Sequence, residues 1–195
     1  MGDKTVACTY FSEPGEGNTQ RVLEIAKARA EQLGIRSVVV ATTTGYTGAL
    51  AAQVFEGYNL VAVTHSTGFK EANYQELTEE NRAAIQAKGG KVLTAQHGFG
   101  GVGRAVRKKL GTYELEELVA YTLRTFGEGM KVVCEIALMA ADAGLIPSGQ
   151  AVISIAGTGR GADTAVVLRA VNAQAFFDMR IMEVLCKPGF YGADQ

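Results

Sequence analysis

Threonines 42, 43, 44 and 47 fall within seven residues that also hold Gly45 and Gly48, directly after the apolar run "VVVA". The hydroxyls of Thr43, Thr44 and Thr47 can donate hydrogen bonds, and glycine lets a backbone approach a ligand closely. A helix starting here would add free N–H groups and a partial positive charge, both suited to an anion. The stretch reads as a phosphate cradle, with a capped turn that binds nothing as the competing reading. No Gly-Lys-Ser/Thr follows, so it is not a Walker loop.

Three further loops carry chemistry-bearing residues. In "GTGRGADT" (157–164), Gly157, Gly159 and Gly161 alternate with Thr158 and Arg160. The guanidinium offers a fixed fork for an anion or carbonyl. Asp163 and Thr164 are expected at a helix start, where Asp163 could equally be a plain N-cap. In "PGEGNT", Gly17 precedes Asn18 and Thr19, either of which can cap the next helix. "GFGGVG" (98–103) formally matches GxGxxG after a strand. The acid of a dinucleotide site should end a strand about 20 residues on, yet Glu114, Glu116 and Glu117 fall on an expected helix. Close approach to a ligand, or tight packing, explains these glycines better than a nicotinamide cofactor.

His65 and His97 are the only histidines. Both are expected directly after strands, where an imidazole can bond a ligand ring, move a proton near neutral pH, or simply satisfy a backbone group. Neither has an HxH or HExxH partner, so no metal site is indicated. Gly68 and Phe69 follow His65 in the same loop. Tyr46, Phe69, Tyr74 and Phe99 lie in or near such loops and could flank a planar ring or pack in the core. No GxSxG elbow occurs. Arg104, Arg107, Lys108 and Lys109 read as a solvated helix face. Nucleic-acid binding would need a larger basic patch with stacking aromatics.

These loops need a scaffold that brings them together. Strands are expected at 5–11, 37–41, 59–64, 91–95, 150–155 and 177–184. Helices are expected at about 19–33, 47–55, 78–88, 104–110, 114–126 and 130–143, and the tail from Lys187 reads as loosely held. Alternating strands and helices, with strands that are continuous apolar runs, indicate an α/β fold: a mostly parallel sheet with helices on both faces, in three α/β/α layers. The end of the chain could add an antiparallel strand. Ligands in such folds bind outside the carboxyl ends of the strands. The four glycine loops fall at that edge, and all but the third are expected to open a helix.

Composition narrows the class. With 195 residues, no linker and no low-complexity tract, one α/β domain over residues 1–195 is the economical reading. An apolar fraction of 47% excludes a disordered chain. A net charge of −1 gives no global field to recruit nucleic acid or an acidic membrane. No apolar run reaches the roughly 20 residues that span a bilayer, and the first residues lack the form of a signal peptide. A cytoplasmic protein is the expectation, with a homo-oligomer left open. Cys8, Cys134 and Cys186 are odd in number and widely spaced, so they read as buried thiols.

The stretch "VVVATTTGYTGALAAQV…YNLVAVTHS" resembles the C-terminal α/β domain of pyruvate kinase. In that family a Ser/Thr-Gly loop holds the phosphate of a sugar-phosphate effector. The matching positions are Thr42, Thr43, Thr44, Gly45 and Thr47. "PGEGNT", "THSTGF", "FGEGMKVVCEIALMAADAGLIP" and "GTGRGADTA" resemble a narrower family: stand-alone, mainly archaeal pyruvate kinase α/β-domain proteins. That resemblance implies the pyruvate kinase C-terminal-domain fold and an association with flavin mononucleotide (FMN), and no established reaction. The catalytic barrel of pyruvate kinase is absent from this sequence.

The leading expectation is an FMN-binding protein, and a flavin oxidoreductase if it is an enzyme. Its phosphate would lie in the 42–47 loop and its ring near 157–164. A non-catalytic sensor of a phosphorylated metabolite or nucleotide is the alternative. An NAD(P)-dependent dehydrogenase is the weaker third.

Overall fold

Val38 and Val40 face one hydrophobic core and Val39 the other, because helices cover both sides of the strand that holds them. That is why the run is continuously apolar rather than alternating. A computed structural model describes residues 2–190. In chain order its elements are β1 (Thr9–Phe11), α1 (Thr19–Leu33), β2 (Ser37–Ala41), α2 (Tyr46–Val54), β3 (Asn59–Thr64), α3 (Glu79–Ala87) and β4 (Lys91–Thr94). There follow α4 (Val102–Leu110), α5 (Leu115–Arg124), α6 (Glu128–Asp142), β5 (Ala151–Ala156), β6 (Thr164–Arg169) and β7 (Arg180–Pro188). The strands form one sheet in the order β1-β7-β6-β5-β2-β3-β4.

Helices α1, α2 and α3 bury Leu23, Ala52 and Ile85 against Val38, Leu60 and Ile153 on one face. On the other face, α6 and Ala120 of α5 pack against Val39, Val61, Val152 and Val166. Helix α6 is buried almost along its whole length, and the Ser154 hydroxyl donates to its Val133 carbonyl at 2.9 Å. The three-layer α/β/α architecture follows.

Strands β5, β2, β3 and β4 are parallel, so their carboxyl ends share one edge. From β2 the chain steps outward to β3 and β4, then crosses back through α4, α5 and α6 to β5 on the other side of β2. Strand order therefore reverses between β2 and β5. Such a reversal is where open α/β sheets place a ligand crevice.

Four expectations need correction. Residues 164–169 are not a helix but β6, antiparallel to β5, with Ala156 opposite Thr164. The loop 157–163 is thus a hairpin connection, and Asp163 and Thr164 cap no helix. The β-branched run "TAVVL" has no polar face for a surface helix, and positive φ at Gly159 and Gly161 turns the chain back. Conversely, the 98–103 loop does open a helix, α4. The first strand is only Thr9–Phe11, because β1 meets a single neighbour through three residue pairs with β7. The last strand starts at Arg180, after a 3₁₀ turn over Ala173–Asp178, and runs through Lys187 to Pro188.

Candidate functional site

The first of three groups at the carboxyl edge ties the loop after β1 to the β5–β6 hairpin. Asp163 is fully buried. Its Oδ2 accepts the N–H of Gly15 and of Thr158, each at 2.9 Å, and its Oδ1 accepts the Thr164 hydroxyl at 2.7 Å. The Thr19 hydroxyl accepts the Ala162 N–H at 2.9 Å and donates to the Glu16 carbonyl at 2.7 Å. Asn18 donates to the Glu13 carbonyl at 2.8 Å. A Cβ on Gly161 would lie 2.5 Å from the Glu16 Cα, and one on Gly157 2.7 Å from the Gly161 carbonyl oxygen. These two glycines therefore let backbone pack on backbone. Gly17, Gly159 and Arg160 are exposed, and Arg160 makes no ion pair among the described residues.

The second group is the β2–α2 loop at the reversal of strand order. Thr42 is buried, and its hydroxyl accepts the Gly48 N–H at 3.2 Å. The Thr44 carbonyl accepts the Thr78 N–H at 3.1 Å and the Asn81 amide at 3.0 Å, which pins the loop to the start of α3. Gly45 has φ of 97°, and a Cβ there would lie 2.5 Å from Leu77 Cδ1. Thr47 is buried, Thr43 half-buried and Thr44 exposed. No side chain of the N-cap, Gly45, closes the helix. The N–H groups of Tyr46 and Thr47 have no partner within α2, as in the first turn of any helix.

The third group comes from the loops after β3 and β4. The rings of Phe69 and His97 stack with centroids 4.9 Å apart and planes 11° from parallel. His65 lies 4.2 Å from Phe69 and 5.4 Å from His97, and the Arg104 guanidinium sits 4.7 Å over Phe69. His65 Nδ1 is 2.7 Å from Glu76 Oε2, and its Nε2 has no hydrogen-bond partner among the described residues. Gln75 donates to the His65 carbonyl at 3.1 Å and steadies this loop. Gly68, with φ of 84°, makes its turn. His97 Nε2 accepts the Ser66 N–H at 3.4 Å, and its Nδ1 is 3.9 Å from Glu135. Burial pushes His97 down to about 4 against the pull of Glu135, so the ring is neutral at neutral pH.

Behind His97 lies a buried ion pair. Lys131 Nζ donates to Glu135 Oε2 at 2.6 Å, and Glu135 Oε1 accepts the Phe99 N–H at 2.9 Å. Glu76, Glu135 and Lys131 are not found by reading loops for glycine and hydroxyl residues. The spacing of Lys131 and Glu135 does mark them, because two opposite charges one turn apart in an otherwise apolar helix must pair to be buried. The 98–103 glycines make room for side chains: Gly100 for Arg104, Gly101 for Gln96 and Gly103 for Glu116. Cys134 and Cys186 are buried thiols, pushed up to about 12 by that burial.

The three groups are thus brought to one edge of the sheet, with the β2–α2 loop between the hairpin and the aromatic rings. The family model "Pyruvate kinase, alpha/beta domain" matches residues 20–168. The chain belongs to the pyruvate kinase alpha/beta domain family. Among solved structures it is similar to Cryptosporidium parvum pyruvate kinase in complex with ADP, at 14% identity and a TM-score of 0.41, covering 78% of this chain and 23% of that one. Another solved structure of a pyruvate kinase from Cryptosporidium parvum matches at 15% identity and a TM-score of 0.39, covering 78% of this chain and 22% of that one. A mutant O-ureido-L-serine synthase bound to O-ureido-L-serine matches at 20% identity and a TM-score of 0.31, covering 64% and 47%. This chain therefore spans less than a quarter of the pyruvate kinases it matches. No helix among the described residues is long and apolar enough to cross a membrane.

Proposed function

We propose that this chain binds a phosphorylated ligand with a planar ring at the carboxyl edge of its sheet, and that FMN is that ligand. The observation that carries the reading is the opening of α2 at the point where strand order reverses, between the β5–β6 hairpin and the stacked Phe69 and His97 rings. The first amides of α2 and the Thr43 and Thr44 hydroxyls would hold the phosphate. His65, Phe69 and His97 would flank the ring on one side, and Thr158 and Arg160 of the hairpin would reach it from the other. A bound flavin would supply reversible electron or hydride transfer. The residues of this chain would bind and orient it. His97 would face the ring as a neutral imidazole, Arg104 and Arg160 would supply the positive charge near it, and the Nε2 of His65 would be available for a hydrogen bond to it.

The test is an absorbance spectrum of the purified protein from about 300 to 550 nm, the range of the flavin bands, before and after adding FMN and desalting. Retained bands support the reading, and a protein that keeps no flavin overturns it. Thr44→Asp places a negative charge beside the α2 amino terminus and should abolish retention. Unchanged retention in that variant would move the phosphate elsewhere.

A second reading, a sensor of a phosphorylated metabolite, is favoured by one observation. The buried acids Asp163 and Glu135 are both committed to protein donors. Thermal stabilisation by sugar phosphates, with none by FMN, would select it.

A further inference from the structure

Arg104, Arg107, Arg124 and Lys131 converge on a cavity of about 240 Å³ between α4, α5 and α6, which holds one carboxylate, Glu117. Lys131 and Glu117 are each only 6% exposed. Two of the cations are fixed by carboxylates from outside the cavity: Arg124 by Glu128 at 2.6 Å and Lys131 by Glu135 at 2.6 Å. Each still has donors to offer, since an arginine carries five N–H groups and a lysine three. Arg104 has no carboxylate partner among the described residues and lies over the Phe69 ring.

The Arg107–Glu117 pair is incomplete. Its Nε and Oε1 are 2.9 Å apart, yet Arg107 Nε and Glu117 Oε2 are buried with no hydrogen-bond partner among the described residues. Buried ionic atoms without hydrogen bonds are costly and uncommon. A polar guest that brought its own oxygens would take the terminal Nη donors of Arg107, whose side chain is about a third exposed, and three further cations are already turned to the same space. Phe99, Ala120 and Tyr121 complete the lining, and the volume limits the guest to a small group.

We propose that this cavity is an anion subsite that takes the carboxylate or phosphate group of a small molecule. It is separate from the α2 amino terminus and adjoins the Phe69–His97 stack through Arg104. A ligand seated there would lie beside the rings as a second, anionic component. The subsite does not depend on flavin binding: it should take anions whether or not the protein is yellow.

The experiment is calorimetric titration of the full chain with inorganic phosphate and, separately, with succinate, at constant ionic strength in chloride. Neutral succinamide serves as the control. Saturable binding of either anion, with none of succinamide, is expected, and the stronger of the two identifies the chemistry. Arg107→Gln should weaken it about tenfold or more, as loss of a charge-assisted pair does. Glu117→Gln removes the only carboxylate in the cavity and should tighten binding several-fold. Lys108→Gln, on the exposed side of the same helix, should leave it unchanged. Absence of saturable binding overturns the proposal. So does binding that Lys108→Gln weakens as much as Arg107→Gln does, or binding that Glu117→Gln leaves unchanged. The Glu117→Gln result decides the question if Arg107→Gln does not fold.

Discussion

Asp163 and Gly15 are 148 residues apart in sequence and joined by a 2.9 Å hydrogen bond from the Gly15 N–H to the Asp163 carboxylate. The same oxygen accepts the Thr158 N–H, so one buried side chain binds the loop after β1 to the hairpin that ends β5. Asp163→Ala leaves both amides without a partner inside the protein. We expect a loss of about 3 kcal/mol in denaturant unfolding, at one to three per unsatisfied group, with faster proteolysis of residues 12–18. Unchanged stability would mean that water replaces the carboxylate and that the clamp is unimportant.

Gly45 distinguishes packing from ligand approach. Its φ of 97° strains any side chain, and the space a Cβ would take belongs to Leu77 and Asn81. Gly45→Ala should therefore destabilise the fold by about 1–3 kcal/mol even without ligand. A variant of normal stability that fails only to bind a phosphate ligand would show that the glycine serves the ligand alone.

His97 should make stability depend on pH. Burial lowers its folded value to about 4 from 6.5, helped by His65, Lys131 and Arg104 and opposed by Glu135. The unfolded chain then binds more protons than the folded one between these values. Its contribution is complete above about 6.5 and is lost as pH falls through 4. Denaturation midpoints measured from pH 7 to pH 4 should fall, and His97→Gln should flatten that part of the curve. An equal slope in wild type and variant would refute this.

Glu183 acts at lower pH. Arg29 grips it through two 2.7 Å bonds, and Lys4 adds a third at 2.8 Å. The Arg29 hydrogen bonds, opposed by desolvation, hold its carboxyl down at about 2 instead of 4.5. The stability from this pair is present above about 4.5 and is lost as pH falls through 2. Arg29→Met should cost about 1–2 kcal/mol at neutral pH, in the range of a charge-assisted hydrogen bond, and much less near pH 2. A constant difference across that range would assign the effect to packing.

The alternation of apolar runs and amphipathic stretches determined the three-layer fold. Strands 37–41 and 59–64 were legible to the residue, because valines buried on both faces leave no other reading. The glycine and hydroxyl clusters marked the carboxyl edge of the sheet, where the loops after β1, β2, β4 and β5 lie. Tertiary structure alone decided which loops meet. Asp163 looks like a cap from its neighbours in sequence, yet its partners are Gly15 and Thr158, and only the sheet order brings Gly15 there. The β-branched 164–169 run is compatible with a strand by itself, but its place between β5 and β7, antiparallel to both, lies in strand order. The basic run at 104–109 divides for the same reason. Lys108 and Lys109 stay in water, while the packing of α5 and α6 turns Arg104 and Arg107 into a shared cavity. Local chemistry is written along the chain, but long-range pairing depends on which surfaces the fold buries together.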